Sequence, residues 1–309
     1  MSARPARKRR RTRTTLGIVI LLATVLLGWG ALSLNRAAFD GKAALQSVER
    51  MVSFGPRPPG SEAHRRTQSY ITQELEAAGL TVVQDPFTAN TPAGPVSMNN
   101  IIGRIAGRKE RVLMLAAHYD TKVMNDFRFL GANDGGSGTG LLLSLAPVLA
   151  NLDNDHSIWL VFLDGEEAFN EKWSDTDSLY GSRHLVARLA QSGLLSKIGA
   201  FVLVDMIGDS SLDIRRDTNS TPWLTDLVWG VARRLGYSRN FSNSSMTILD
   251  DHLPFVQAGV PSVVLIDLNY GFGNRFWHTS EDTLDKLSAE SFSKVGHVLL
   301  EVVAELDRE

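Results

Sequence analysis

Short apolar runs rich in β-branched residues alternate with stretches of helical spacing along this chain, and that alternation limits the folds open to it. Runs that predict strands occupy residues 80–87, 97–105, 112–117, 158–163, 201–206 and 262–266. Patterns that predict helices occupy residues 40–52, 61–78, 138–152, 179–189, 222–235, 252–258 and 289–306. Several strand runs are apolar throughout, as strands buried on both faces are. We predict an α/β fold of three layers, α/β/α, with helices on both faces of a mixed, mostly parallel sheet.

The N-terminal segment differs from the rest of the chain. Residues 1–15 contain seven Lys and Arg residues and no acid, and residues 16–34 form an uncharged apolar run of about the length that crosses a bilayer. We predict a basic cytoplasmic tail at 1–15 and a transmembrane signal-anchor at 16–34. Everything after it would lie outside the cytoplasm, in a periplasm, a lumen or the medium. A cleaved signal peptide and a twin-arginine export signal are the alternatives.

Composition restricts the partners and the kind of metal site. Subtracting the seven N-terminal basic residues from the net charge of -2 leaves -9 on the remainder, a poor partner for nucleic-acid phosphates. The chain has no Cys, which excludes disulfides and thiolate ligands, so a transition metal must be held by His, Asp and Glu. We predict a linker and first helix at 35–52, followed by one catalytic domain at 53–309.

Potential metal ligands and proton carriers come directly after the predicted strands. His118 and Asp120 follow the third strand, Glu166 and Glu167 follow the fourth, and Asp205 ends the fifth. In open α/β sheets, functional sites collect at the carboxyl ends of the strands. We therefore expect these side chains to lie together.

Two further candidates lie in loops. Asp134 is in the glycine-rich loop GANDGGSGTG that begins a helix, and His278 is in FWHTSEDT after the last strand. Carboxylates and imidazoles from separate turns form a donor set that zinc accepts. Each residue alone has a structural explanation, such as a helix cap for Asp134 or a satisfied structural histidine for His118. Four other histidines fall at polar positions and are predicted to lie at the surface: His64, His156, His184 and His297.

Several motifs together carry a resemblance to a known family. They are HYDTK at 118–122, GANDGGSG at 131–138, DGEEAF at 164–169, WSDTDSLYGSRHL at 173–185, DDHLPF at 250–255 and WHT at 277–279. From about residue 53 onward, the chain resembles the zinc aminopeptidase clan with a phosphorylase/hydrolase-like fold, known as the M28 family. Within it, the chain looks most like the glutaminyl-peptide cyclotransferases, which convert the N-terminal glutamine of peptides to pyroglutamate and release ammonia.

The resemblance implies a zinc site with two possible forms. In a two-zinc aminopeptidase, the ligands would be His118, Asp134, Glu167, Asp205 and His278. In a cyclotransferase, one zinc would be held by Asp134, Glu167 and His278, and the other two residues would lie beside it. Because the chain has all five residues, both forms stay open on ligands alone. The first form implies an aminopeptidase that removes N-terminal residues from peptides.

Three features favour the cyclotransferase form. They are Trp277 before the histidine, the motif that begins at Trp173, and Asp250 where the peptidases usually have serine. One residue more than the family pattern precedes Trp173, which leaves the place of that side chain open. A membrane-anchored binding module without catalysis is a third alternative, although such a module would tolerate the loss of ligands that this chain keeps.

The resemblance also implies a role for each remaining site residue. Glu166 would carry protons between the attacking and departing nitrogen atoms, and Asp205 and Asp250 would assist it. Substrate contacts are expected from Trp277, Trp173 and His252. The implied partners are peptides with N-terminal glutamine, and the membrane through the N-terminal helix.

Overall fold

The computed structural model describes residues 39–308, which fold around one six-stranded sheet. Its strands are β1 (Thr81–Thr91), β2 (Gly94–Ile105), β3 (Lys109–His118), β4 (His156–Leu163), β5 (Ile198–Asp205) and β8 (Ser262–Ile266), in the order β1-β2-β4-β3-β5-β8. Strands β4, β3, β5 and β8 run parallel, whereas β1 and β2 run antiparallel to their neighbours. The predicted mixed, mostly parallel sheet is confirmed.

Helices cover both faces of the sheet. They are α1 (Gly41–Val52), α2 (Glu62–Ala77), α3 (Gly136–Ala150), α4 (Tyr180–Gln191), α5 (Pro222–Arg234), α6 (His252–Gln257) and α7 (Ala289–Leu306). Helices α1, α2, α3, α5 and α7 form one packed group, and α4 packs with α6 in a second group. Phe201 of β5 stacks on Phe255 of α6, whereas Gly138 of α3 packs against Ala117 of β3, whose side chain points to the other face of the sheet. The two groups therefore lie on opposite faces. This arrangement is the predicted three-layer fold.

Local sequence explains where several helices begin. The side chain of Ser61 accepts a hydrogen bond from the backbone amide of His64 and caps α2, and Ser288 caps α7 in the same way. Pro222 occupies the first turn of α5, where its missing N–H costs nothing. These local signals are the reason that helix positions could be predicted closely.

A short parallel pair of strands, β6 (Ile214–Asp217) and β7 (Phe241–Met246), was not predicted. Both strands are mostly polar, as the sequences IRRD and FSNSSM show, so neither has the apolar alternation that marks a strand. The pair lies in the segments that flank α5. It forms through contacts between distant residues and not through a local pattern.

The parallel strands end at one edge of the sheet and bring the predicted site residues to it. His118 is the last residue of β3, Asp205 is the last residue of β5, and Asp164 follows β4 directly. Cα pairing of His118 with Leu163 places the ends of β3 and β4 side by side. The expectation that these groups lie together is confirmed.

The predicted surface position is wrong for two histidines. His64 is 1% exposed and its Nε2 lies 2.7 Å from Asp164 Oδ1. His156 is 3% exposed; its backbone amide donates to Asp307 Oδ1 at 2.6 Å, and its ring Nδ1 lies 3.4 Å from the same oxygen. A histidine can be buried when a carboxylate satisfies it, and both partners lie more than 90 residues away in the sequence. Helical spacing alone does not reveal such a partner.

No helix within residues 39–308 is both long enough and apolar enough to cross a bilayer. The predicted basic tail at 1–15 and signal-anchor at 16–34 lie outside the described residues, as do the first residues of the predicted linker.

Candidate active site

Three of the predicted zinc ligands meet at the carboxyl edge of the sheet. Ligand atoms of Asp134, Glu167 and His278 all lie within 4.8 Å of one another. His278 Nε2 is 2.9 Å from Glu167 Oε1 and 3.2 Å from Asp134 Oδ2. The carboxylates come from a glycine-rich loop and from the turn after β4, and the histidine comes from the loop after β8.

A second group shares Asp134. His118 Nε2 lies 3.3 Å from Asp134 Oδ1 and 3.2 Å from Asp205 Oδ1, and ligand atoms of the three residues lie within 4.8 Å of one another. The two oxygens of Asp134 therefore face different groups, Oδ1 toward His118 and Oδ2 toward His278. All five residues of the predicted two-zinc set are brought together.

Neighbouring chain segments hold the Asp134 loop in place. The carboxylate of Asp282 accepts hydrogen bonds from the backbone amides of Asn133 at 2.8 Å and Asp134 at 3.1 Å. Gly135 has φ +72°, and a Cβ there would lie 2.3 Å from the carbonyl oxygen of Asp120. Only glycine allows the loop to pass this close to the end of β3.

A buried arginine joins this loop to the segment after β3. The guanidinium of Arg57, which is 0% exposed, donates to the carbonyl oxygens of Tyr119 at 3.1 Å, Leu130 at 2.7 Å and Gly131 at 2.8 Å. Burial lowers the pKa of Arg57 to about 10, against the raising effect of nearby carboxylates. The group remains a cation at neutral pH and fixes two segments that carry site residues.

Side chains of the segment after β3 hold the turn that carries Glu166 and Glu167. The carboxylate of Asp120 accepts hydrogen bonds from the backbone amides of Glu166 at 3.1 Å and Glu167 at 3.3 Å. Lys122 Nζ donates to the carbonyl oxygen of Ala168 at 3.0 Å and lies 3.5 Å from Glu167 Oε2. The backbone position of both glutamates thus depends on the segment after β3.

Burial and crowding of acids change the protonation of the site. Burial raises the pKa of Glu166 well above its usual range; the charge of His118 opposes this shift, and the charges of Glu167 and Asp250 add to it. Burial also raises the pKa of Asp250 well above its usual range, helped by the charge of Asp205. Carboxyl groups placed this closely share protons and titrate as a set. Such a set holds protons more tightly than isolated, exposed carboxyl groups do.

The donor atoms fit a divalent zinc ion. Asp134 Oδ2 and Glu167 Oε2 are buried; His278 Nε2 lies 3.2 Å from the first and Lys122 Nζ lies 3.5 Å from the second, but neither oxygen accepts a hydrogen bond of good geometry within residues 39–308. Buried carboxylate oxygens normally have a hydrogen-bond donor or a cation as a partner. Two carboxylates and one imidazole that leave a position open are a donor set of catalytic zinc sites.

The two groups border a cavity of about 410 Å³. Its acidic part includes the predicted catalytic residues Glu166, Asp205 and Asp250, and its walls include Trp173 and Trp277. The predicted wall tryptophans therefore both lie at the site, and the extra residue before Trp173 does not remove that side chain from it. Apolar side chains that were not predicted complete the lining: Ile248, Leu249, Ile266 and Leu268.

His252 does not line the cavity, although a substrate contact was predicted for it. Its side chain is fully buried, and its Nε2 lies 3.0 Å from Asp217 Oδ2. The ring therefore ties the start of α6 to the end of β6. Asp250, two residues earlier, lines the cavity. The motif DDHLPF therefore contributes one residue to the cavity wall and another to the contact between α6 and β6.

Sequence reasoning gave no role to three residues that hold the site, Arg57, Lys122 and Asp282, and it named Asp120 only as a potential metal ligand or proton carrier. Asp120 and Lys122 lie in the HYDTK motif, and Asp282 lies four residues after His278, so nearness to candidate ligands was a usable signal. Arg57 offered no such signal. The nearest of its guanidinium partners along the chain, Tyr119, is 62 residues away.

Known proteins are similar to this chain in sequence and in fold. Residues 100–303 match the model of peptidase family M28. The glutaminyl-peptide cyclotransferase of Bos taurus is 33% identical over 288 residues, which cover 81% of this chain and 78% of that protein. The crystal structure of a glutaminyl cyclase from an Acidobacteriales bacterium has a TM-score of 0.83 and 44% identity, and covers 87% of this chain and 95% of that one.

A neighbour of another kind has the same fold. The crystal structure of a Zn-dependent exopeptidase from Parabacteroides distasonis has a TM-score of 0.78 and 25% identity, and covers 86% of this chain and 98% of that one. The fold by itself therefore accommodates both cyclases and exopeptidases. The chain belongs to peptidase family M28, and within that family it is similar to the glutaminyl-peptide cyclotransferases.

Proposed function

We propose that this chain is a zinc-dependent glutaminyl-peptide cyclotransferase, which converts the N-terminal glutamine of peptides to pyroglutamate and releases ammonia. The observation that carries the proposal is the place of Glu166, a buried carboxyl group in a cavity that also holds Asp134, Glu167 and His278. The cyclotransferase relatives and the glutaminyl cyclase structures support this activity over peptide hydrolysis.

Cyclisation requires one proton to move between two nitrogen atoms of the substrate. A bond forms between the α-nitrogen and the side-chain carbonyl carbon, and the bond from that carbon to the amide nitrogen breaks. The amine loses one proton and the departing amide nitrogen gains one, so that ammonia leaves. Glu166 would take the first proton and return it to the departing nitrogen; burial raises the pKa of this carboxyl group, which makes it a stronger base for the first step.

The neighbouring acids and tryptophans would orient the substrate. Asp205 and Asp250 share the acidic part of the cavity with Glu166, so they can position the proton carrier and accept hydrogen bonds from the substrate amide. Trp173 and Trp277 present flat apolar surfaces that suit a small planar amide and exclude water. Excluding water matters because hydrolysis of the same amide would yield glutamate and no ring.

We place one zinc ion at Asp134, Glu167 and His278. When bound, zinc supplies a Lewis acid that polarises the carbonyl of the reacting amide. His118 and Asp205, the remaining members of the two-zinc set, contact each other without a second ion: His118 Nε2 lies 3.2 Å from Asp205 Oδ1, and its Nδ1 lies 3.4 Å from Asp120 Oδ1 but forms no hydrogen bond within residues 39–308. The same group could hold a second ion in a di-zinc aminopeptidase, which is the alternative function.

We also propose that residues 16–34 anchor the catalytic domain to a membrane, with residues 1–15 in the cytoplasm. The support is the sequence pattern of a basic cluster before an apolar run. A reporter enzyme that is active only outside the cytoplasm is fused after residue 309. We expect this fusion protein to show reporter activity. Membrane fractions should keep the full chain through an alkaline carbonate wash; release of the chain would contradict the anchor.

The activity can be tested directly with the purified full-length protein. A Gln-initiated peptide and a Leu-initiated peptide are incubated with it, and the products are identified by mass. Loss of one ammonia from the first peptide, with the second unchanged, is the expected result. Release of free leucine would instead establish an aminopeptidase. Inactivity on both peptides, with no bound metal, would leave a binding module.

A further inference from the structure

A second depression adjoins the site cavity and is not used by the proposed reaction. This outer groove has a volume of about 440 Å³ and shares two lining residues, Trp173 and Leu249, with the cavity. Beyond these two, it is bordered by the segment that leads into α4 and by one side of α6. The two spaces therefore adjoin each other at these two side chains, which form their common rim.

The groove has an apolar floor. Leu179, Leu253 and Pro254 line it, and Leu249 stands at its junction with the cavity with 64% of its surface exposed. A large aliphatic side chain with that exposure at the mouth of a site gains free energy when an apolar ligand covers it. The groove thus offers apolar surface that the folded chain itself does not cover.

The charges of the groove do not demand a charged ligand. The guanidinium of Arg183 donates to the carbonyl oxygens of Asp175 and Ser178, so backbone groups within the groove wall already occupy two of its five N–H donors. Asp175 is exposed and keeps its contact with water. Five of the ten lining residues are apolar, and these suit an uncharged, apolar side chain of a bound peptide.

We propose that the outer groove binds the residues that follow the N-terminal glutamine of a peptide substrate and favours an apolar side chain at the second or third position. This inference rests on the proposed function. The reacting glutamine must lie against Glu166 inside the cavity, so the rest of the peptide has to leave past the rim. An extended chain advances about 3.3 Å per residue, so the next two or three residues reach the groove.

The inference is tested with the full-length enzyme and three substrates: glutamine amide, a Gln-Phe-Leu-Ala peptide and a Gln-Asp-Ser-Ala peptide. Glutamine amide reports on the cavity alone because it has nothing to place in the groove. We expect kcat/KM to be about tenfold higher for the apolar peptide than for the acidic one, mostly through KM, which is the size of discrimination that one apolar contact gives.

Two variants locate the source of that preference. Leu253→Ser should remove most of the preference for the apolar peptide and leave kcat/KM for glutamine amide unchanged, because Leu253 lines the groove and not the cavity. Gln257→Lys places a cation at an exposed position of the groove lining. It should raise kcat/KM for the acidic peptide relative to kcat/KM for the apolar peptide. Leu194→Ser is the matched control, since Leu194 is 38% exposed and lines neither space.

The outcomes separate this inference from the proposed function. If wild type cyclises glutamine amide but shows no difference between the peptides, or if both groove variants leave the difference intact, the groove assignment is wrong. An equal loss on all three substrates in Leu253→Ser, with a normal response of Gln257→Lys, marks a folding defect of the first variant and keeps the assignment. Failure of wild type to cyclise glutamine amide overturns the proposed function, and this inference with it.

Discussion

Asp120 accepts a hydrogen bond from the backbone amide of Glu166 at 3.1 Å, so a side chain from the segment after β3 holds the main chain of the proposed proton carrier. The carboxyl group of Glu166 takes no part in that bond. Its own surroundings are His118, whose Nδ1 lies 3.9 Å away, and the cavity. A substitution of Asp120 should therefore change the position of Glu166, whereas a substitution of Glu166 itself should change only the chemistry of its side chain.

Glu166→Gln should abolish turnover and leave zinc in place. The amide keeps the shape of the side chain and the backbone bond to Asp120, but it cannot accept and return a proton. We expect kcat to fall by roughly 10²- to 10⁴-fold, the usual contribution of a general acid–base group. Steady-state kinetics and metal analysis of the same preparation measure both effects. Glu171→Gln, an exposed glutamate at the rim of the same cavity, is the control. Activity within tenfold of wild type would refute the proton-carrier role.

Asp205→Asn should leave the zinc content at one ion per chain. In the one-zinc form, Asp205 contacts His118 and the substrate and does not hold the metal. Elemental mass spectrometry of the variant and of wild type measures the number of zinc ions bound per chain. Wild type with two ions and a variant with one would instead establish the two-zinc peptidase form.

Replacing Arg57 should destabilise the fold and weaken zinc binding together. Arg57→Lys keeps the charge but cannot reach three carbonyl oxygens at once, so buried acceptors lose their donors. We expect the free energy of unfolding to fall by roughly 3 kcal/mol. The dissociation constant of zinc should rise by about tenfold or more, because the loop that carries Asp134 loses its support.

Denaturant unfolding and competition with a metal chelator measure these two quantities. Arg65→Lys, an exposed arginine in the same part of the chain, is the matched control and should change neither by a measurable amount. A loss of stability with unchanged zinc affinity would show that Arg57 supports the fold but not the ligand loop.

Asp217 should stabilise the protein at neutral pH and lose that effect in acid. Burial raises the pKa of Asp217, but the hydrogen bonds from His252 and from the backbone amide of Ile248 outweigh it, so the net shift is downward. A carboxyl group whose folded pKa is lowered contributes stability above its unfolded value of about 4, and this contribution disappears as the pH falls through the folded pKa.

Asp217→Asn should therefore lower the free energy of unfolding by roughly 1 to 3 kcal/mol at pH 7. The difference from wild type should shrink when the pH is brought below about 4. Urea unfolding of both proteins at several pH values measures this difference in the free energy of unfolding. Asp226→Asn, which removes an exposed carboxylate paired with Arg216, should change stability by less than about 1 kcal/mol at every pH. A difference for Asp217→Asn that does not depend on pH would contradict the ionised pairing.

Much of the site was predictable because its residues follow strands. An apolar run of β-rich residues is a local signal, and a polar residue directly after it lies at the edge where a parallel sheet places its functional groups. His118, Glu166, Glu167 and Asp205 were found in this way. Asp134 and His278 lie in loops, and their placement depended on the family motifs. Their contacts with the other ligands appear only in the folded chain.

By itself, the sequence determined the order of strands and helices, the set of acids and histidines available to a metal, and the family. Tertiary structure alone decided which residues are partners. It buries His64 against Asp164 and His156 beside Asp307, and it pairs His252 with Asp217 away from the cavity. It also decided that β1 and β2 form the antiparallel edge of the sheet. The physical reason is the range of the interactions. Periodicity and capping act between neighbours, whereas burial and ion pairing join residues that are far apart in the chain.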